Sequence, residues 1–244
     1  MKNNNKKIIF FSIIFSFFFV SLHAKNLKVN AKNISINKNN EITIFENDVV
    51  IITEDNNIIN SDYAEYNKKL GLIKLKKNVV LIDNKKNILE TNDALYNEKT
   101  KIFESIGKTL ITTSEKYKIR GSNIIFNNLK KIISSDEKTI VNDEKNYTIY
   151  LDRFNYHINT SIFKSIGSIK IKDKNNNLYE FSQIYIDTKK KETIGTESKI
   201  FINQEDFKVN KKNKPRIFSN TISINEEVST FGKSIFTLCD YRKN

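Results

Sequence analysis

Asp62-Tyr63-Ala64-Glu65-Tyr66-Asn67 returns thirty residues later as Asn92-Asp93-Ala94-Leu95-Tyr96-Asn97. The frame recurs as Ser122-Asn123-Ile124-Ile125-Phe126-Asn127, Asp152-Arg153-Phe154-Asn155-Tyr156-His157 and Ser182-Gln183-Ile184-Tyr185-Ile186-Asp187, and one interval upstream it reads Lys32-Asn33-Ile34-Ser35-Ile36-Asn37. Six copies without a gap are a structural repeat. A unit of this length cannot bury its apolar side alone, so the copies must stack.

Each unit holds a short alternating segment, a polar turn and a longer segment broken near its middle. Alternation with period two means strands. Residues at the Ala64 and Tyr66 positions face one way, and Tyr63 and Glu65 the other. Down the stack the first column reads Ile34, Ala64, Ala94, Ile124, Phe154, Ile184, and the second Ile36, Tyr66, Tyr96, Phe126, Tyr156, Ile186. Neither carries a charge. The longer segment adds Ile51, Leu81, Ile111, Val141, Ile171, Phe201 as a third column. A fourth, Ile42, Leu72, Ile102, Ile132, Ile162, fails at Glu192. Between these two, Asn47, Lys77, Gly107, Glu137, Gly167 and Glu197 mark a bend or bulge that turns the strand through a corner. The expectation is an all-β body of six to seven two-strand repeats whose four apolar columns share one interior. That interior is either a closed core or, if the curved sheet stays open on one side, an apolar groove.

Asn203 to Arg216 breaks the register, with four lysines and the sole proline, Pro215, and reads as an inserted loop. Asn220-Thr221-Ile222-Ser223-Ile224-Asn225 starts a seventh unit, with Phe231 falling where Ile73 follows Tyr66. Residues 1–24 carry Lys6-Lys7, an uncharged run from Ile8 to Val20 and a small residue at Ala24, the pattern of a cleaved export leader. The apolar run is shorter than the roughly 20 residues that a membrane-spanning helix needs.

The formal charge is +13, and loss of Lys2, Lys6 and Lys7 with the leader leaves +10. Lys, Asn and Ile are raised together, and no lysine block or arginine cluster points to nucleic acid. Neither His157 nor the carboxylates fall into a catalytic or metal-binding spacing, and no cofactor motif is present. Asp143 and Asp173 recur at one repeat position as turn residues. Cys239 is the one cysteine. It is either an inert buried thiol or half of a disulfide with another segment or chain.

Ser61 to Asn67 followed by Leu72 to Leu81 resembles the OstA-type repeat shared by the periplasmic lipopolysaccharide-transport proteins LptA, LptC and the N-terminal domain of LptD. The resemblance covers roughly residues 28–235. The tail Phe236-Thr237-Leu238-Cys239-Asp240-Tyr241-Arg242 looks like the segment leading into the LptD barrel, where a cysteine forms disulfides, so the whole is most similar to the N-terminal domain of LptD. The resemblance implies three segments: a signal peptide over 1–24, a half-open β-jelly roll (β-taco) over 25–235, and a linker to an absent barrel over 236–244. It implies a non-enzymatic protein of the periplasm, associated with the outer membrane, that shields the acyl chains of lipopolysaccharide. The groove would be lined by Ile36, Ala64, Tyr66, Leu81, Ala94, Tyr96, Ile111, Ile124, Phe126, Val141, Phe154, Tyr156 and Ile171. Implied partners are lipopolysaccharide, an LptA-like protein docked on the edge strand of the first repeat, and an LptD barrel with LptE; no cofactor and no nucleic acid is implied. A free-standing LptA-like bridge and a closed secreted solenoid with a scaffold or adhesion role are the alternatives.

Overall fold

The computed structural model describes residues 27–37, 41–144, 147–203, 215–225 and 227–238. These residues form an all-β body of antiparallel strands. In chain order they are β1 (Lys28–Asn30), β2 (Asn33–Asn37), β3 (Ile42–Ile52), β4 (Ile58–Asn67), β5 (Leu72–Ile82), β6 (Ile88–Asn97), β7 (Ile102–Thr112), β8 (Lys118–Ser122) and β9 (Ile125–Asn127). There follow β10 (Ile132–Ser135), β11 (Thr139–Asn142), β12 (Thr148–Leu151), β13 (Phe154–His157), β14 (Ile162–Lys172), β15 (Leu178–Asp187), β16 (Glu192–Phe201), β17 (Arg216–Ile224) and β18 (Ser229–Thr237).

Two kinds of turn alternate along the chain, and the repeat signature encodes both. After the Tyr-Asn pair the asparagine side chain closes the turn: Asn67 Oδ1 accepts from Leu70 N at 3.0 Å, Asn97 Oδ1 from Thr100 N at 3.0 Å and Asn127 Oδ1 from Lys130 N at 2.9 Å. The residue that ends this turn is left-handed in each of the first six units, φ being 52° at Glu41, 67° at Gly71, 55° at Lys101, 54° at Lys131, 57° at Ser161 and 55° at Lys191. At the other turn a Thr or Asp takes the same role, as where Asp83 Oδ1 accepts from Asn87 N at 2.8 Å and Asp173 Oδ1 from Asn177 N at 2.8 Å. Short polar side chains that bond forward to the backbone are turn formers for this reason. Asp143 belongs to the same row, accepting from Tyr147 N at 2.8 Å.

The long strands bend where expected. Positive φ falls at Asn47 (64°), Lys77 (63°), Gly107 (78°), Gly167 (124°) and Glu197 (51°), and the pairing register shifts beside Asn47, Lys77 and Gly167. At Glu137 the strand breaks outright between β10 and β11. Each unit thus has two arms. Arm A holds the Ala64 and Tyr66 end and arm B the Leu81 end; in the middle of the stack they separate into distinct strands, β9, β10 and β13 in arm A and β8, β11 and β12 in arm B.

The arms fold over one another and bury their inner faces. Ala64, Ile73, Phe103 and Ile124 of arm A and Ile51, Ile59, Val79 and Ile111 of arm B are inaccessible to solvent. The fourth column is a correction: Ile42, Leu72, Ile102, Ile132 and Ile162 sit half-buried on the outer face, paired with Asn67, Asn97, Asn127 and His157. The interior is lined by the next residue of each strand, Ile73, Phe103, Ile133 and Phe163. The third column also leaves the interior at its last copy. At the earlier corners the pairing register shifts and three exposed residues separate the inward ones, but β16 keeps one register with β15 and only Thr196 and Glu197 lie between Gly195 and Ser198, so the inward parity reverses, Ile200 is buried and Phe201 turns outward. In the seventh unit Phe231 pairs with Ile222, where Leu75 pairs with Ala64, rather than taking the place of Ile73.

Candidate functional site

Eleven of the proposed lining residues lie in one contiguous core: Ala64, Leu81, Ala94, Tyr96, Ile111, Ile124, Phe126, Val141, Phe154, Tyr156 and Ile171. Tyr66 is half-buried and packs against it. Ile36 does not join them; it is 68% exposed on β2, which is exposed along its whole length at the end of the stack. The side chains of the two arms fill the space between them, and the void bounded by Ile119, Val141, Tyr156 and Phe163 is about 10 Å³, room for no more than one water. The interior is continuous and dry along this length.

What closes it is a seam between the two rows of turns. Lys101 Nζ lies 3.1 Å from Glu54 Oε2, with the two side chains 15% and 28% exposed. Asn128 donates to Asp55, and Lys85 Nζ donates to the Ile158 carbonyl at 3.0 Å. Both bridges span 73 residues, so they are one contact repeated one unit further on. At the next position Glu115 accepts from Tyr156 Oη at 3.1 Å and Ser161 Oγ at 3.4 Å. Tyr66 Oη donates to Glu98 at 2.7 Å along the same line.

Burial pushes the tyrosines of the seam upward, Tyr66, Tyr117 and Tyr156 to about 12, and the neighbouring carboxylates add to the shift. Tyr96 and Tyr179 are raised by the same causes. All five are therefore un-ionised at physiological pH. The Tyr96 hydroxyl is buried with no partner among the described residues, beneath Asp55, Glu98 and Glu54. An unpaired buried hydroxyl costs about 1–3 kcal/mol, so the closed state is not the most favourable arrangement that seam could have.

Towards the C-terminal end the rows part. A cleft of about 670 Å³ opens there, with Tyr117, Tyr147, Ile149, Ile171 and Tyr179 on the arm B side and Ile186, Thr188, Thr193, Ile224 and Val228 opposite. Lys116, Lys189 and Lys191 stand at its rim with Glu115, Asp143, Glu144 and Glu227. Ile149, Ile171 and Ile186 belong to the core, so the cleft leads directly into the dry interior. Sequence reasoning missed Glu54, Asp55, Lys85 and Lys101, because turn residues read as solvated and nothing in the chain announces a partner 73 positions away. Among the described residues no group of three or more His, Cys, Asp or Glu is placed to hold a metal. Cys239 and residues 204–214 of the loop expected over Asn203 to Arg216 lie outside the described residues, and Arg216 opens β17.

Residues 23–139, just under half of the chain, match the family model for lipopolysaccharide-assembly, LptC-related proteins. Among solved structures the chain is similar to LptH of Pseudomonas aeruginosa, the LptA homologous periplasmic component of the lipopolysaccharide transport device, at 13% identity over 70% of this chain and 82% of that one, with a TM-score of 0.22. A search of curated proteins returned no match.

Proposed function

We propose that the chain is a carrier module for lipopolysaccharide, holding acyl chains between its two arms while the sugar stays in water. The observation that carries this reading is the unbroken apolar interior that meets solvent at the cleft beside Tyr179 and Ile186. The match of residues 23–139 to the LptC-related family supports it independently. Each methylene buried there contributes about 0.8 kcal/mol, so retention needs no chemistry and the work is burial rather than catalysis.

Because the interior is filled over most of its length, a lipid enters only if the arms part. Entry begins at the cleft beside Tyr179 and Ile186, and the seam then opens unit by unit as Glu115, Lys85, Asp55 and Glu54 release their partners. A free-standing bridge of the LptA kind and an N-terminal domain of the LptD kind use the same interior, the latter drawing on the tail and a disulfide at Cys239. Both place the exported chain in the periplasm, its leader cut after Ala24, with an LptA-like neighbour on the edge of the first repeat. The closed-solenoid reading has one observation of its own, the laced and dry N-terminal seam.

The test is site-specific photo-crosslinking in the periplasm, with probes at Tyr96, Phe126 and Ile186 and controls at Glu65 and Asn155. The carrier reading expects lipopolysaccharide adducts at the first three and none at the controls. A folded, exported protein without adducts at any interior position would leave the closed solenoid.

A further inference from the structure

The outer face of arm B changes character half-way along the stack. In β14 and β16 inward apolar residues alternate with Lys170, Lys172 and Lys199, as a sheet wet on one side requires. In the first units there is no alternation: Val49-Val50-Ile51-Ile52 and Val79-Val80-Leu81-Ile82 are apolar on both faces, as strands covered on both sides are. The register aligns the outward residues. One row runs Lys28, Ile52, Ile58, Ile82, Ile88, Thr112, Lys118, each opposite the next across neighbouring strands. The parallel row adds Val50, Val80 and Leu110, with Asn60 and Glu90 between them. Ile58 is 37% exposed, the other aliphatic side chains are half-buried, and no second layer of described residues covers them.

We propose that this face docks on an anionic lipid bilayer. The row spans seven strands, about 29 Å at roughly 4.8 Å per strand, and is apolar in the middle with a cation at each end. The acids of the adjoining turn, Glu54 and Asp55, are drawn across the mouth to Lys101 and Asn128, which leaves Glu90 as the one carboxylate among these aliphatic residues. A peptide would gain little on a sheet face, since the backbone groups that grip an added strand lie at the edges. A second copy is disfavoured by charge. A twofold axis along the row sets Lys28 on Lys28 and Lys118 on Lys118; one across it sets Lys28 on Lys118. Phosphate headgroups reverse that penalty, and the aliphatic side chains enter the headgroup boundary between them.

The experiment is flotation of the exported chain with vesicles of phosphatidylcholine alone or with phosphatidylglycerol added, free of lipopolysaccharide. Binding is expected only with the anionic lipid and is expected to weaken with salt. Lys28→Gln with Lys118→Gln should weaken it about 25-fold, since each basic residue near such a surface is worth about five-fold, whereas Lys172→Gln with Lys199→Gln on the same rows of β14 and β16 should change it less than about two-fold. Ile58→Glu with Ile82→Glu should abolish it. Equal losses from the two lysine pairs, no binding to anionic vesicles, or a dimer that Ile82→Glu dissociates would overturn the proposal. None of these outcomes depends on adducts in the interior, so this face and the carrier reading fail separately.

Discussion

The turns at Glu54, Asp55 and Lys85 interlock with those at Lys101, Asn128 and Ile158 across the mouth, whereas those at Tyr147, Thr188 and Val228 stand apart around a cleft, although one 30-residue pattern builds both stretches. The inward columns do not differ in kind, since Ala94 and Phe126 are as buried as Ile184 and Ile186. The difference lies in the turns. The repeat position that is Asp55, Lys85 and Glu115 offers a charged or accepting group long enough to reach the other row. On the cleft side, tyrosines and isoleucines face each other across the gap. In this architecture the strand pattern sets the interior, and the turns set whether it is shut.

The largest effects should come from cutting into the two interiors. Phe103→Ala, in the laced half and inaccessible to solvent, should cost about 3–5 kcal/mol. Ile186→Ala, on the wall of the cleft, should fall at the bottom of the range of about 2–5 kcal/mol for such truncations, because solvent already reaches its neighbours. Denaturant unfolding of the two variants measures the difference. Equal costs would mean that the cleft closes in solution.

Alkali should open the structure next. The seam tyrosines have folded pKa values near 12, above the ordinary value of 10, so protonated tyrosine is favoured by folding. That contribution is fully present below pH 10 and is lost as pH rises towards 12. Tyrosinate absorbance and circular dichroism recorded together should show these residues ionising with loss of the fold. Replacing Tyr156 by Phe should remove part of that loss, since a phenyl ring has nothing to ionise and Glu115 keeps Ser161.

Columns of side chains were legible in the sequence because period two leaves no freedom once one residue is placed. Ala64, Tyr96, Phe126 and Ile171 followed from the repeat and are buried together. The fourth column failed where two apolar residues stand side by side, as in Leu72-Ile73 and Ile102-Phe103, and a corner separates them from the nearest fixed position. Counting back from Leu81 through the corner does select Ile73 and Leu75, since the three residues Lys76 to Asn78 between Leu75 and Val79 preserve parity. At Glu197 the pairing runs on without a register shift and parity reverses, and nothing in the composition distinguishes the two cases. The seam was not legible at all, being a contact between turns two units apart.

Smaller effects should follow from unlacing the seam. Lys101→Met removes the partner of Glu54, and because both side chains are partly screened by solvent the loss should be about 1 kcal/mol. Asp55→Ala removes the neighbouring acceptor and should add about 1 kcal/mol. The functional readout should move more than the stability. If the seam gates the interior, the double variant should raise lipid adducts at Tyr96 and leave those at Ile186, on the already open cleft, unchanged. Unchanged adducts at both positions would separate the lacing from lipid entry.

The finest test sets two corners against each other. Gly107, in the laced half, has φ 78° and nothing within 4 Å of where a Cβ would stand, and its repeat equivalents Asn47 and Lys77 hold side chains at 64° and 63°. Asparagine tolerates this left-handed region, so Gly107→Asn should cost only about 0.5 kcal/mol. Gly167, at the matching corner of β14, has φ 124°, beyond the angle at which the other corners carry side chains, and Asp152 Oδ2 lies 3.4 Å from its added Cβ. Gly167→Asn should therefore cost about 1–2 kcal/mol. Urea midpoints of the two variants give the comparison. A cost at Gly167 as small as at Gly107 would show that the corner of β14 relaxes to the angle of the other corners, so its wider angle would come from the glycine alone rather than from the strands packed around it.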